Sequence, residues 1–284
     1  MSEVGIEVAL GKQLQHARQK AGLTQQQLCN KANMSYSTLA KIERGAIKSP
    51  SIFTIECIAD VLNVSLDELV GRSVDGSKGS KKVSKSGISF VYFDINGCLV
   101  RFFHRAFSAL ADDTGTPADI IESTMWHYND AVCRGEMSID DFNSKLAEIT
   151  RQPSVDWLSY YLAAVDPIPA MQDLLIWTAE NYRVGLVTNI MPGFLEALIK
   201  QGLIPDIDYD VIIDSSKENA VKPEKKIYQI AQDKAAVEPS QILYIDDSRG
   251  NLMAAEQLGW RVMWFDGYDT QESADRIKKA LEFE

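Results

Sequence analysis

Apolar residues change their spacing once along this chain, and the change divides it. Before residue 72 they recur at helical intervals. Val8 to Ala21 places Leu10, Leu14 and Ala17 on one face with a 3.6-residue period, and Gly22 supplies the stop. Thr24 and Ser35 are the N-caps expected for helices over Gln25–Lys31 and Tyr36–Arg44, the second ended by Gly45. Ser51–Leu62 and Ser65–Val70 complete five short helices with no strand signal. Beyond residue 88 short apolar runs alternate with helical stretches. Ser89–Phe93, Val184–Val187, Val211–Ile213, Ile242–Ile245 and Arg261–Trp264 are rich in Val, Ile and aromatic residues, as in a parallel sheet covered by helices on both faces. The connection between the first two strands is far longer than a crossover needs. Its excess reads as helices over Ala106–Ala111, Ile120–Cys133, Ser138–Ile149 and Val155–Val165, a cap inserted at about 102–175. Ser138 to Asp141 has the spacing of a capping box with Asp in place of Glu. A last amphipathic helix, with Ile277 and Leu281 on one side, closes the chain.

Residues 71–87, GRSVDGSKGSKKVSKSG, have almost no apolar content and read as a flexible linker between domains 1–70 and 88–284. The net charge of −11 is unevenly spread. Residues 1–72 hold eight Lys/Arg against seven Asp/Glu, residues 73–89 four against one, and the remainder 17 against 32. The acidic body is unsuited to nucleic acid, whereas the head with its basic tail suits it if its charges share a face. No apolar run approaches the roughly 18 residues of a membrane span, and Met1–Gly11 lacks the features of a signal peptide. Cys29, Cys57, Cys98 and Cys133 have no CxxC spacing and read as reduced thiols of a cytoplasmic protein, with no zinc site.

Leu23-Thr24-Gln25-Gln26-Gln27-Leu28 and Ser35-Tyr36-Ser37-Thr38-Leu39-Ala40-Lys41-Ile42-Glu43-Arg44-Gly45 resemble the Cro/lambda-repressor-type (XRE) helix-turn-helix. The resemblance implies a recognition helix over Tyr36–Arg44 lying in the major groove of double-stranded DNA. Ser35, Tyr36, Ser37 and Lys41 match positions near base edges or phosphates, Gln25 a phosphate contact, and Arg44 closes the same DNA-facing set. Cys29 stands where the family has alanine. Such heads act as dimers on pseudo-palindromic operators, so a homodimer is expected.

Asp94 follows the first apolar strand, Thr188 and Asn189 the second, Lys222 lies in Val221-Lys222-Pro223-Glu224, and Asp246-Asp247 follow Ile242–Ile245. A carboxylate, a hydroxyl, an ammonium and a carboxylate pair, in this order on an alternating strand–helix chain, form a phosphoryl-transfer set. The four motifs resemble the haloacid-dehalogenase (HAD) superfamily, an α/β Rossmann-like fold populated mostly by phosphatases. The resemblance implies Asp94 as nucleophile, and Mg²⁺ held by Asp94, Asp246, Asp247 and the main-chain carbonyl of Asn96. It further implies Thr188, Asn189 and Lys222 on the phosphate. Gly97 permits the turn after the nucleophile. His104, Trp126 and His127 in the cap are expected to pack or face solvent. Where the family's phosphatases carry an acid/base Asp, this chain has Asn96, which cannot exchange a proton; losing that help typically costs about 10²–10⁴-fold. Some bacterial sugar-phosphate phosphatases of the superfamily share the lack of this Asp and a segment like Gly135-Glu136-Met137-Ser138.

Three functions follow. The first is a transcriptional regulator whose body binds or senses a small phosphorylated metabolite. The second is a Mg²⁺-dependent phosphatase of small sugar phosphates with an autoregulatory or localising DNA-binding head. The third is a receiver-like switch in which Asp94 stays phosphorylated.

Overall fold

The computed structural model describes residues 10–12, 14, 15, 17–19, 21–47, 50–62, 64 and 81–282. The chain divides into two compact units, Met1–Ser80 and Lys81–Glu284. The helix expected over Ser65–Val70 and residues 71–80 of the expected linker lie outside the described residues.

In the first unit, the described residues between 10 and 19 are helical. They are followed by α1 (Gln25–Lys31), α2 (Tyr36–Glu43) and α3 (Ile52–Leu62). Thr24 forms a full capping box: its hydroxyl accepts from Gln27 N at 3.2 Å, and its own N–H donates to Gln27 Oε1 at 2.8 Å. Ser35 caps α2 through Thr38 N at 3.1 Å. Leu14, Leu28, Leu39, Ile42 and Ile58 form the core, and Cys29 packs among them as the small apolar residue expected. Gly11 lies so close to the end of α2 that a Cβ there would sit 2.6 Å from the Ile42 carbonyl oxygen.

The second unit is a five-stranded parallel sheet in the order β3-β2-β1-β4-β5. The strands are β1 (Phe90–Phe93), β2 (Arg183–Thr188), β3 (Val211–Asp214), β4 (Ile242–Asp246) and β5 (Arg261–Trp264). β1, β2 and β4 are buried on both faces, which is why they read as unbroken apolar runs. Strand order reverses at β1, between β2 on one side and β4 on the other. In such sheets ligands bind beyond the carboxyl ends at that point.

Four helices lie between β1 and the helix preceding β2: α4 (His104–Thr114), α5 (Ala118–Cys133), α6 (Ile139–Thr150) and α7 (Trp157–Ala164). Chain entry and exit run side by side, with Arg101 N bonded to Asp166 O at 2.7 Å and Ile168 N to Leu99 O at 2.9 Å. The cap therefore ends earlier than residue 175. The next helix, α8 (Pro169–Asn181), begins with Pro at its first turn and packs on β2 and on the C-terminal helix. That C-terminal helix runs Thr270–Glu282 and buries Ala274, Ile277 and Leu281, as its periodicity predicts. The Ser138 box differs from expectation. Ser138 Oγ accepts from Asp141 N at 3.0 Å, but the Asp141 carboxylate accepts from the Ser138 hydroxyl at 2.7 Å. Asp is one methylene shorter than the usual Glu and takes the nearer partner.

The end of the expected linker also differs. Lys82 N donates to Asn181 O at 2.6 Å and Ser84 N to Ile88 O at 2.8 Å, so residues 81–87 are attached to the second unit. Their polar composition hid main-chain bonding that needs no apolar side chain.

Candidate functional site

Asp94 directly follows β1, Asp246 ends β4, and Asp247 follows it. Carboxylate oxygens of these three lie within 4.8 Å of one another. Lys222 Nζ sits between the first two, 2.6 Å from Asp94 Oδ1 and 2.8 Å from Asp246 Oδ2, and all three side chains are buried. Asp246 is the hub. Its oxygens also accept from Ser248 N at 2.7 Å, from Asn251 Nδ2 at 3.0 and 3.1 Å, and from the Tyr244 hydroxyl. Gly97 has φ +89°, and a Cβ there would fall 2.2 Å from Asp247 Oδ2. Glycine is required both for the turn and for the carboxylate to lie against the main chain.

The charges do not balance. One ammonium faces three carboxylates. Burial pushes the Asp94 carboxyl up to about 7; Lys222 opposes this, and Asp246 and Asp247 add to it. Burial, with Asp246 beside it, raises Asp247 to about 6. For Lys222 burial disfavours the charge, but Asp246 and Asp94 outweigh it and hold the ammonium above the ordinary lysine range. Dense, hard oxygen donors carrying uncompensated negative charge suit a small divalent cation. Thr188, at the end of β2, is buried with its hydroxyl lacking any hydrogen-bond partner, a group that a phosphate oxygen would satisfy.

Asn189 was expected on the phosphate through its neighbourhood to Thr188. Its side chain is otherwise engaged: Nδ2 donates to Lys222 O at 2.9 Å and Oδ1 accepts from Lys222 N at 2.7 Å. It clamps the main chain that carries the ammonium, because the loop following β3 runs beside the end of β2. The Asn96 side chain is also fixed, its Oδ1 accepting from Tyr161 Oη of the cap at 2.7 Å. Burial raises the Tyr161 phenol, so it stays a donor.

A cavity of about 330 Å³ opens over this cluster. Asp94, Asn96, Lys222 and Asp247 line its charged end, and Phe102, Phe103 and Trp126 one wall. Trp126 is 45% exposed and stacks on Phe102 at 6.0 Å and 17°. Trp126 thus packs and faces solvent as expected, and it does so at the mouth of the cavity. The described contacts of His104 and His127 are with Phe102 and Tyr128.

On the head, Ser35, Tyr36, Ser37, Lys41 and Arg44 are all exposed, with Tyr36 at 51%. Arg44 Nε donates to Ala40 O at 3.0 Å. The Ser35 hydroxyl caps α2 and also meets Ser37 Oγ at 3.1 Å and Thr38 Oγ1 at 2.7 Å, which commits it to the helix start. Gln25 is half-buried, its amide donating to Glu43 Oε2 at 2.7 Å. Glu43, at the buried end of α2, receives Arg18 Nε at 2.7 Å and Nη2 at 3.0 Å.

The profile of the haloacid dehalogenase-like hydrolases matches residues 88–259. The chain belongs to that family. A helix-turn-helix profile matches residues 14–69, so this family member also carries a helix-turn-helix domain. The head is 38% identical over 65 residues to the HTH-type transcriptional regulator ImmR of Bacillus subtilis, covering 23% of this chain and 50% of ImmR. The chain thus spans half the length of that relative. A predicted HAD-like hydrolase from Porphyromonas gingivalis superposes with TM-score 0.57 at 20% identity, over 69% of this chain and 99% of the other. A HAD-family enzyme of Bacteroides thetaiotaomicron, solved with magnesium and inorganic phosphate, gives TM-score 0.55 at 19% identity, over 64% and 96%. At these identities the two structures share the fold.

Within this hydrolase-family body, Asn129, Tyr161 and Asn251 stand around the cavities without a sequence motif of their own. A signal existed for one of them. Trp126, Asn129 and Cys133 stand at i, i+3 and i+7 on α5, one helical face, and that face lines the cavity and a smaller chamber behind it.

Proposed function

We propose that this protein is a DNA-binding transcriptional regulator whose HAD-like body binds a small phosphorylated metabolite together with Mg²⁺. The observation that carries it is the Asp94–Lys222–Asp246–Asp247 cluster on a chain that also bears a helix-turn-helix head. Asp94, Asp246 and Asp247, with the Asn96 carbonyl, would hold the cation, and the Bacteroides thetaiotaomicron enzyme of the same fold was solved with magnesium and phosphate. Bound there, Mg²⁺ would offset the charge of the phosphoryl oxygens. Thr188 Oγ1 and the Lys222 ammonium bind those oxygens, and Asn189 positions Lys222. On the head, Tyr36, Ser37 and Lys41 contact the operator, with Arg44 and Gln25 at its margins, and two heads bind a pseudo-palindromic site as a homodimer. Ligand and operator must alter each other's affinity equally. Operator affinity measured with and without Mg²⁺ and candidate phosphometabolites tests the coupling; a constant affinity across the panel rejects it.

A second reading, active phosphatase, draws on Asp94 itself. It is the carboxylate of the cluster that follows β1 and lines the cavity, and a nucleophile there attacks phosphorus directly. It requires Mg²⁺-dependent turnover of phosphomonoesters that vanishes in Asp94→Asn. Turnover surviving in the variant assigns it to a contaminant.

A further inference from the structure

The cluster fixes where a phosphoryl group sits, and the remaining walls constrain what is attached to it. Beyond the Asp/Lys end, the cavity is lined by three aromatic residues and by uncharged polar groups, chiefly Asn129, Asn189 and Asn251. Its one lysine is held between Asp94 and Asp246. Among the described residues, no second cation lines the cavity for another phosphate or a carboxylate. At about 330 Å³ the space holds a phosphoryl group with a ring attached. Trp126 and Phe102 lie nearly parallel at 6.0 Å, too close to admit a ring between them, so the open indole surface of Trp126 is the stacking platform.

The second constraint is at the leaving oxygen. Tyr161 takes the carbonyl oxygen of the Asn96 amide, so the amide N–H groups are what Asn96 offers the cavity. They hydrogen-bond to an oxygen without surrendering a proton. An ordinary alkoxide, whose conjugate acid has a pKa close to the ~15.7 of water, is a poor departing anion there. A phenolate, at about 10, is roughly six units better and offsets the missing acid.

Resting on the phosphoryl-binding reading above, we propose that the pocket is built for aryl phosphomonoesters, with the uncharged ring on Trp126 and the phenolic oxygen facing the Asn96 amide. The reaction balances without a general acid. An Asp94 oxygen bonds to phosphorus as the P–O(aryl) bond breaks, and its electron pair leaves on the phenolate, which takes a proton from solvent. Water then attacks the aspartyl-phosphate, returning the Asp94 carboxylate and releasing inorganic phosphate, the water's surplus proton passing to solvent. Tyr161 acts through Asn96 as a positioning residue.

The test uses the full chain with Mg²⁺ and two uncleavable probes, methylphosphonate and phenylphosphonate, titrated by calorimetry. Phenylphosphonate should bind about tenfold more tightly. The gap should close in Trp126→Ala, return in Trp126→Phe, and leave methylphosphonate affinity unchanged throughout. In parallel, phenyl phosphate should be cleaved at least about 100-fold faster than ethyl phosphate, and Asn96→Asp should narrow that ratio. Equal affinity for the two phosphonates, or phenyl phosphate cleaved no faster than ethyl phosphate, overturns the assignment. Failure of both phosphonates to bind instead rejects the phosphoryl-binding reading beneath it.

Discussion

Each unit of this protein buries an ion pair, and the two are built to opposite ends. In the head, Arg18 and Glu43 meet in two parallel contacts of 2.7 and 3.0 Å, with Gln25 donating to Glu43 at 2.7 Å and Arg18 Nη1 to Leu23 O at 2.8 Å. One cation meets one anion, and additional hydrogen bonds complete both groups. The pair ties the end of α2 to the first helix and to the start of α1, which sets the direction of the exposed Tyr36–Lys41 face. In the body, Lys222 lies between Asp94 and Asp246 with Asp247 close by, so negative charge is left over. Desolvating unbalanced charge costs stability unless something else supplies the countercharge. The balanced pair fixes a surface; the unbalanced cluster keeps charge for a cation to offset.

The contrast can be broken most severely at Asp94. Asp94→Asn should reduce phosphomonoester turnover to background. It should also raise the stability of the metal-free body by on the order of 1 kcal/mol at pH 8, because one of the repelling charges is gone. Parallel assays and urea melts of wild type and variant check both signs; a destabilised variant would show that the cluster is not electrostatically strained. The same kind of neutralisation in the head acts oppositely. Glu43→Ala leaves the Arg18 guanidinium buried without its partner, should cost about 3 kcal/mol in the head's unfolding transition, and should abolish operator binding while leaving phosphonate affinity intact. Calorimetry of the full chain resolves the two transitions.

pH separates the units further. Asp94 and Asp247 titrate near 7 and 6 in the folded protein, above an unfolded carboxyl near 4. The folded body therefore keeps protons that the unfolded chain releases. Metal-free stability is greatest below about pH 4 on this account and declines as pH rises through 6 and 7. Mg²⁺ should remove most of the decline and bind more tightly over the same interval. A stability that rises through this window would contradict the raised carboxyl values. The smallest effect is expected at the head's surface: Lys41→Ala should weaken binding to all DNA sequences alike and reduce the salt slope by about one, as read by anisotropy titrations at several salt concentrations.

What could be read from the sequence follows the range of the interactions. Strands β1, β2 and β4 were legible because burial on both faces leaves uninterrupted Phe, Val, Ile and Tyr. Thr24 and Ser35 were legible because a cap bonds three residues away. Asp94, Thr188, Lys222 and Asp246-Asp247 were legible because each follows a strand or sits in a short motif. The residues that hold them were not. Asn189 reaches the Lys222 peptide across 33 residues and Tyr161 reaches Asn96 across 65, and neither distance leaves a local trace. Gln25 reads as a phosphate contact by position, and the bond its amide also donates to Glu43, 18 residues away, leaves no local trace. Trp126 looked like any surface aromatic until α5 was turned toward the cavity.

Residues 99–101 and 166–168 form a two-segment stalk under the cap. Two neighbouring segments hydrogen-bonded to each other carry the whole cap, so its ends lie next to one another on the body. A segment attached in this way is a cassette. Trp126, Asn129 and Tyr161 belong to it, whereas Asp94, Thr188, Lys222 and Asp246 do not. Evolution, or an engineer, can exchange the cassette and reshape the wall of the cavity while the Asp/Lys floor and the helix-turn-helix head keep their own inheritance.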